Sequence, residues 1–250
     1  MNFIMKQNKN IYTTIGIILI FALWLISSLF VSDSFIVPPL NKTFIRIIDL
    51  LKNANTYISI FNTIGVLLII LIVSFIVSGS LALLSIKFPK FKEVISPILS
   101  LLKIIPLPAL IILLLTHQSR ANTSIILTSF MTIPLIYDVL YGHLISINKE
   151  ILDEIKLLSK FNFKILFNVY IPLIGVGIIT AFLQAFGLGL KVKVMTEFVA
   201  NAPKTIGYDL SMAAASYAMD LVFAWTVILV VIVVIVDFTI NQILKRIEIT

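Results

Sequence analysis

Long apolar runs recur along the chain, separated by shorter stretches that hold most of its charge. They extend over about Ile11 to Val31, Ile58 to Leu84, Val94 to Leu115, Ile125 to Ile145, Ile165 to Leu190 and Leu221 to Leu244. A helix of roughly 20 apolar residues crosses the ~30 Å hydrocarbon layer of a bilayer, whereas membrane strands read as alternating segments of about ten residues. The pattern therefore predicts an all-α polytopic membrane protein with about six transmembrane helices. The first run follows Lys6 and Lys9 as a signal peptide would. It is too long for the apolar part of one and lacks a small-x-small cleavage site, so it is expected to remain as a helix.

Three connections are long enough to hold structure of their own. After Pro38 and Pro39, the residues Phe44, Ile47, Ile48 and Leu51 repeat at helical spacing, with Lys42, Arg46, Asp49 and Lys52 on other faces. That pattern predicts an amphipathic helix lying at the membrane surface. The second connection is Ser146 to Lys164, and the third, Lys191 to Asp220, is expected to hold a short helix around Ala213, Ala214 and Ala215.

Composition agrees with a lipid solvent: 60% of the 250 residues are hydrophobic and 12% are charged, against about half and about a quarter in soluble domains. With no Cys there is no disulfide and no thiolate site. The net charge of +7 comes from 19 Lys and Arg against 12 Asp and Glu. Basic loops held against anionic lipid account for that balance, so no nucleic-acid partner is expected. With the N-terminus inside, eleven basic residues fall in cytoplasmic segments and five outside. The positive-inside rule then places both termini in the cytoplasm.

The cytoplasmic connection after the fourth span carries a local signal. Asn148 is a good N-cap, Glu150 stands in the first turn where the helix dipole favours it, and Ile151, Ile155 and Leu158 share a face. Ser159, Lys160, Phe161 and Asn162 interrupt this helix before a second stretch leads to Pro172. A short amphipathic helix of this kind presents an apolar ridge to a partner.

These features resemble the permease subunits of binding-protein-dependent ATP-binding-cassette importers, with their MetI-like type I fold. Asp153-Glu154-Ile155 stands in the acidic-Ala-Ala place of that family's loop, Ser159 in its Gly place, and Tyr170-Ile171-Pro172 at its hydrophobic-Pro end. Further matches follow in order: Val37-Pro38-Pro39, the Pro106 and Pro108 region, Thr196-Glu197-Phe198 with Ile206-Gly207-Tyr208, and Met219-Asp220-Leu221-Val222-Phe223-Ala224. The layout is most similar to the nitrate, sulfonate, taurine and thiamine-precursor permeases.

The resemblance implies one transmembrane permease domain over 1–250, with an N-terminal helix at about 11–31 and a core at about 56–246, in a bacterial inner membrane. It implies a cytoplasmic coupling helix that docks on a separate ATPase through Ile151, Ile155, Leu158 and Phe161, with Asp153, Glu154 and Lys156 at the rim and Ser159 at the turn. Further partners would be an extracytoplasmic binding protein and a second permease copy, as a homodimer or a heterodimer. The chain has no Gly-x-x-x-x-Gly-Lys-Ser/Thr loop. It would therefore bind no cofactor and be no enzyme itself, with ATP and Mg held by the partner ATPase.

Ionisable groups at bilayer depth cost a few kcal/mol unless paired or wet. Lys103 could pair across spans or face the solute path. Lys193 and Glu197, four residues apart, can pair on one helix face at the outer interface. Alternatively Lys191 and Lys193 could face the path and attract an anion. Asp138 near His143 gathers no metal ligands, and Gly175, Gly177, Gly187 and Gly189 favour close helix packing. The competing expectation is a secondary carrier or channel without an ATPase partner. An intramembrane enzyme is disfavoured by two His, no Cys and no suitably spaced carboxylate pair.

Overall fold

The computed structural model describes residues 15–16, 19, 22–30, 37–147 and 165–247, and every regular element among them is helical. In chain order these are α1 (22–30), α2 (Leu40–Lys52), α3 (Ala54–Lys87), α4 (Pro89–Ile104), α5 (Leu107–Leu115), α6 (Arg120–Ile145), α7 (Gly175–Ala200), α8 (Ile206–Ala215) and α9 (Met219–Ile247). Four of them, α3, α6, α7 and α9, are long and apolar enough to span a membrane, and α4 with α5 makes a fifth span if the pair is counted as one. The first expected span lies partly outside the described residues.

The apolar run from Val94 to Leu115 is not one straight helix. It breaks between α4 and α5 with a 90° bend. Ile105, which precedes Pro106, takes extended backbone (φ −64°, ψ 129°), because a following proline disfavours the helical region. Pro108 falls in the first turn of α5, where a missing N–H costs nothing. The fifth span also differs from expectation. A π-turn over Leu166–Tyr170 and one turn over Ile171–Leu173 come first. The membrane helix then runs from Gly175 to Ala200, ten residues beyond the expected end at Leu190. Lys191, Lys193 and Glu197 therefore lie within it.

One compact unit comprises Tyr57–Asp209 and Val231–Thr250. Its core is built by α3, α6 and α7. Ser74, Ser78, Ala82 and Ser85 form one buried face of α3 at spacings of four, four and three, and such small residues let helix backbones approach closely in lipid. Ser74 Oγ meets Thr132 Oγ1 at 2.9 Å, Ser78 Oγ donates to the Ile133 carbonyl at 2.8 Å, and Tyr137 Oη donates to Ser85 Oγ at 2.9 Å. Two of the four glycines of α7 serve the same purpose. A Cβ on Gly177 would stand 2.5 Å from the His143 ring, and one on Gly189 would stand 2.9 Å from Leu67. Large apolar side chains such as Ile69, Ile72 and Ile76 of α3 point outward, as a lipid-facing surface requires.

The other unit comprises residues up to Thr56 together with Leu210–Val230. Here α2 forms where the amphipathic pattern predicts, leaving Phe44, Ile48 and Leu51 exposed. Trp24 packs on Phe223 with ring centroids 5.5 Å apart, and its indole donates to the Pro38 carbonyl at 3.3 Å. The Arg46 guanidinium bonds Asp220 at 2.7 Å. That contact raises the Arg46 pKa further above its ordinary range. A polar cavity of about 310 Å³ lies between Pro38, Lys42, Arg46 and Tyr217.

Candidate functional site

Near the C-terminal end of α7, Lys193 and Glu197 face the protein interior, with side chains 4% and 1% exposed. The helix spacing brings the ammonium to 2.8 Å from Glu197 Oε1, an ion pair rather than an aligned hydrogen bond. Lys193 also donates to Ser124 Oγ of α6 at 3.3 Å. The other carboxylate oxygen accepts from Thr63 Oγ1 at 2.9 Å. Thr63 sits in a π-helical turn, Phe61–Gly65, within α3, and its hydroxyl in turn accepts the Ile206 backbone N–H at 3.0 Å. One buried chain of polar groups thus links α6, α7, α3 and the first residue of α8.

The turn between α7 and α8 is fixed from both sides. Asn201 adopts the left-handed conformation (φ 49°) that ends α7, and the Ala202 N–H returns to the Glu197 carbonyl at 3.0 Å. This is a Schellman-type closure with Asn in the usual Gly place. Arg120 Nη1 donates to the Asn201 carbonyl at 3.0 Å, and Asn62 Nδ2 donates to the Lys204 carbonyl at 2.8 Å. Lys204 is also left-handed (φ 60°). Strained backbone of this kind persists where its surroundings over-determine it. Thr205 caps α8 by accepting the Tyr208 N–H at 3.2 Å. In the first turn of α8, burial pushes the Asp209 carboxyl above its ordinary pKa, partly offset by a hydrogen bond from Ser59.

Gly207 explains its own place in this arrangement. A Cβ there would lie 2.4 Å from Glu197 Cβ and 2.5 Å from both the Phe198 nitrogen and the Val194 carbonyl oxygen. The start of α8 therefore rests directly on the backbone of α7. Thr196-Glu197-Phe198 and Ile206-Gly207-Tyr208, far apart in sequence, are the two halves of one contact.

The remaining charges of the membrane helices behave differently. Lys103 of α4 and Asp138 of α6 form an ion pair while staying 41% and 50% exposed. Lys191 of α7 is exposed and makes no ion pair or hydrogen bond among the described residues. The structure thus brings Lys193 and Glu197 together as the spacing predicts, buried inside the protein near the end of α7, and leaves Lys103 and Lys191 out of their network. The coupling residues Ile151, Asp153, Glu154, Ile155, Leu158, Ser159 and Phe161 lie outside the described residues. Sequence reading missed Thr63, Ser124, Asn62 and Arg120, the last of which opens α6 and holds the Asn201 carbonyl. Hydroxyls inside apolar runs were the available signal, but their partners are set by tertiary packing. Among the described residues, no three His, Asp or Glu side chains converge as a metal site needs.

A family model described as "Binding-protein-dependent transport system inner membrane component" matches residues 76–249, which include α6, α7, α8 and the connection after α6, whereas Thr63 and Asn62 precede the matched residues. No curated protein matches the chain.

Proposed function

The chain belongs to the family of inner membrane components of binding-protein-dependent transport systems, and from that membership we propose that it is the permease of an ATP-binding-cassette importer whose ATPase is a separate polypeptide. The observation that carries this reading is the family match itself, which spans most of the chain. Two physical points agree with it. An ion pair as exposed as Lys103–Asp138, on membrane helices, is costly against lipid and suits a water-filled path. The sequence also holds no Gly-x-x-x-x-Gly-Lys-Ser/Thr loop, which accords with a permease whose ATPase is a separate polypeptide.

In this reading both termini face the cytoplasm, and a second permease copy completes the path. Lys103 and Lys191 line it, and the buried Lys193–Glu197 pair stands behind its wall. Ile151, Ile155, Leu158 and Phe161 form the ridge that docks on the ATPase, with Asp153 and Glu154 at its rim and Ser159 at the turn. ATP and Mg stay on that partner. The solute is small, of the class carried by the nitrate, sulfonate, taurine and thiamine-precursor permeases, and an extracytoplasmic binding protein delivers it.

Partner composition tests the proposal. The tagged chain, solubilised from native membranes in mild detergent, is expected to bring down an ATPase carrying a nucleotide loop, identified by mass spectrometry. A buried apolar anchor loses most of its binding contribution when replaced by a charge, so Leu158→Glu is expected to release that ATPase at least tenfold. Absence of any ATPase, even after crosslinking, would instead support a carrier driven by an ion gradient.

A further inference from the structure

The exposed face of α7 carries Gln184, Leu188, Lys191 and Met195 at spacings of four, three and four, so these side chains stand one above another. Gly187 lies between Gln184 and Lys191 on this face, and nothing stands within 4 Å of where its Cβ would be. The four glycines of α7 therefore divide: Gly177 and Gly189 are packing contacts, whereas Gly175 and Gly187 are open, and of these two only Gly187 lies deep in the helix, in a notch flanked by an amide and an ammonium. Gln184 is nine residues from the start of the helix and Lys191 nine from its end. At 1.5 Å per residue each is about 14 Å inside the helix, within the ~30 Å hydrocarbon depth.

A lysine at this depth is expensive against lipid unless it is paired or wet. Its neighbour Lys193 has Glu197 as counter-ion, and Lys103 has Asp138. Lys191 has none among the described residues. It is thus the uncompensated positive charge on this face, and an amide that can donate two hydrogen bonds stands two turns away. We propose that Gln184, Gly187 and Lys191 form a binding notch for a small oxyanion, of the sulfonate or carboxylate class, within the solute path. The notch deepens the importer reading and rests on it: the ammonium supplies the charge, the amide supplies hydrogen bonds, and the glycine leaves room for the anion beside the helix.

The chain has no native cysteine, so single cysteines report local access directly. Gln184→Cys is placed in the native complex and treated with small methanethiosulfonates, one carrying a sulfonate and one a quaternary ammonium, with rates normalised to a free thiol. Val234→Cys, on the exposed apolar face of α9, gives the lipid-facing reference. The notch predicts labelling of Gln184→Cys at least tenfold faster than the reference, with about a tenfold preference for the sulfonate reagent. Lys191→Gln should abolish the preference, and Lys191→Arg should keep it. Labelling as slow as at Val234→Cys would overturn the notch, as would labelling without charge preference. Co-purification of the ATPase in the same samples separates the two levels: its presence with a negative result refutes only the notch, and its absence refutes the importer reading.

Discussion

Glu197→Gln is expected to destabilise the solubilised protein by about 3–5 kcal/mol, the usual cost of leaving one partner of a buried ion pair without its counter-charge. The amide keeps the shape of the carboxylate and can still accept from Thr63, so the loss isolates the charge. Lys193 would then stand 4% exposed, with only a Ser124 hydroxyl at 3.3 Å. The companion experiment is Lys193→Met combined with Glu197→Gln. Replacing both charges removes the unpaired group, and buried pairs exchanged for neutral residues are often tolerated. The double variant should therefore recover most of the loss, measured as thermal unfolding in a fixed detergent. If Glu197→Gln alone costs no more than a surface change, water reaches the pair and it belongs to the wall of the path.

The second large effect is expected at Gly207. A β-carbon there collides with two backbone atoms of α7, the Phe198 nitrogen and the Val194 carbonyl oxygen, and a helix backbone cannot rotate aside as a side chain can. Gly207→Val must lift the start of α8 away from α7. The shift strains the Thr63 bond to the Ile206 N–H and the Asn62 bond to the Lys204 carbonyl. Overpacking costs about 1–3 kcal/mol, and each lost hydrogen bond adds roughly 1 kcal/mol. Gly175→Ala is the comparison, since nothing lies within 4 Å of its Cβ position. In a helix that change is neutral or stabilising by up to about 1 kcal/mol. A thermal shift that fails to separate the two glycines would contradict the close contact between α7 and α8.

How much of this could be read beforehand depended on the range of the interaction. Hydropathy located the membrane helices, and the proline pair followed by spaced apolar residues located α2, because both signals are local. The break at Ile105 was foreshadowed by Pro106, yet hydropathy alone carried the run straight through, since lipid-compatible side chains lie on both sides. Charge had the opposite effect in α7. Lys191 and Lys193 made the segment look like a helix end, but Glu197 one turn on neutralises Lys193 inside the protein and the helix continues to Ala200. The i,i+4 pair itself was legible. Its burial was not, because Thr63 and Ser124 come from 134 and 69 residues away in the chain. The Thr196-Glu197-Phe198 and Ile206-Gly207-Tyr208 segments were recognisable as motifs, and their mutual contact supplies the physical reason for them.

ATP hydrolysis by the reconstituted native complex tests the importer function most directly. In proteoliposomes, the complex purified through this chain should hydrolyse ATP and respond to its binding protein, and the chain alone should hydrolyse none above background. Solute movement by the chain alone, driven by an ion gradient and indifferent to ATP, would contradict it.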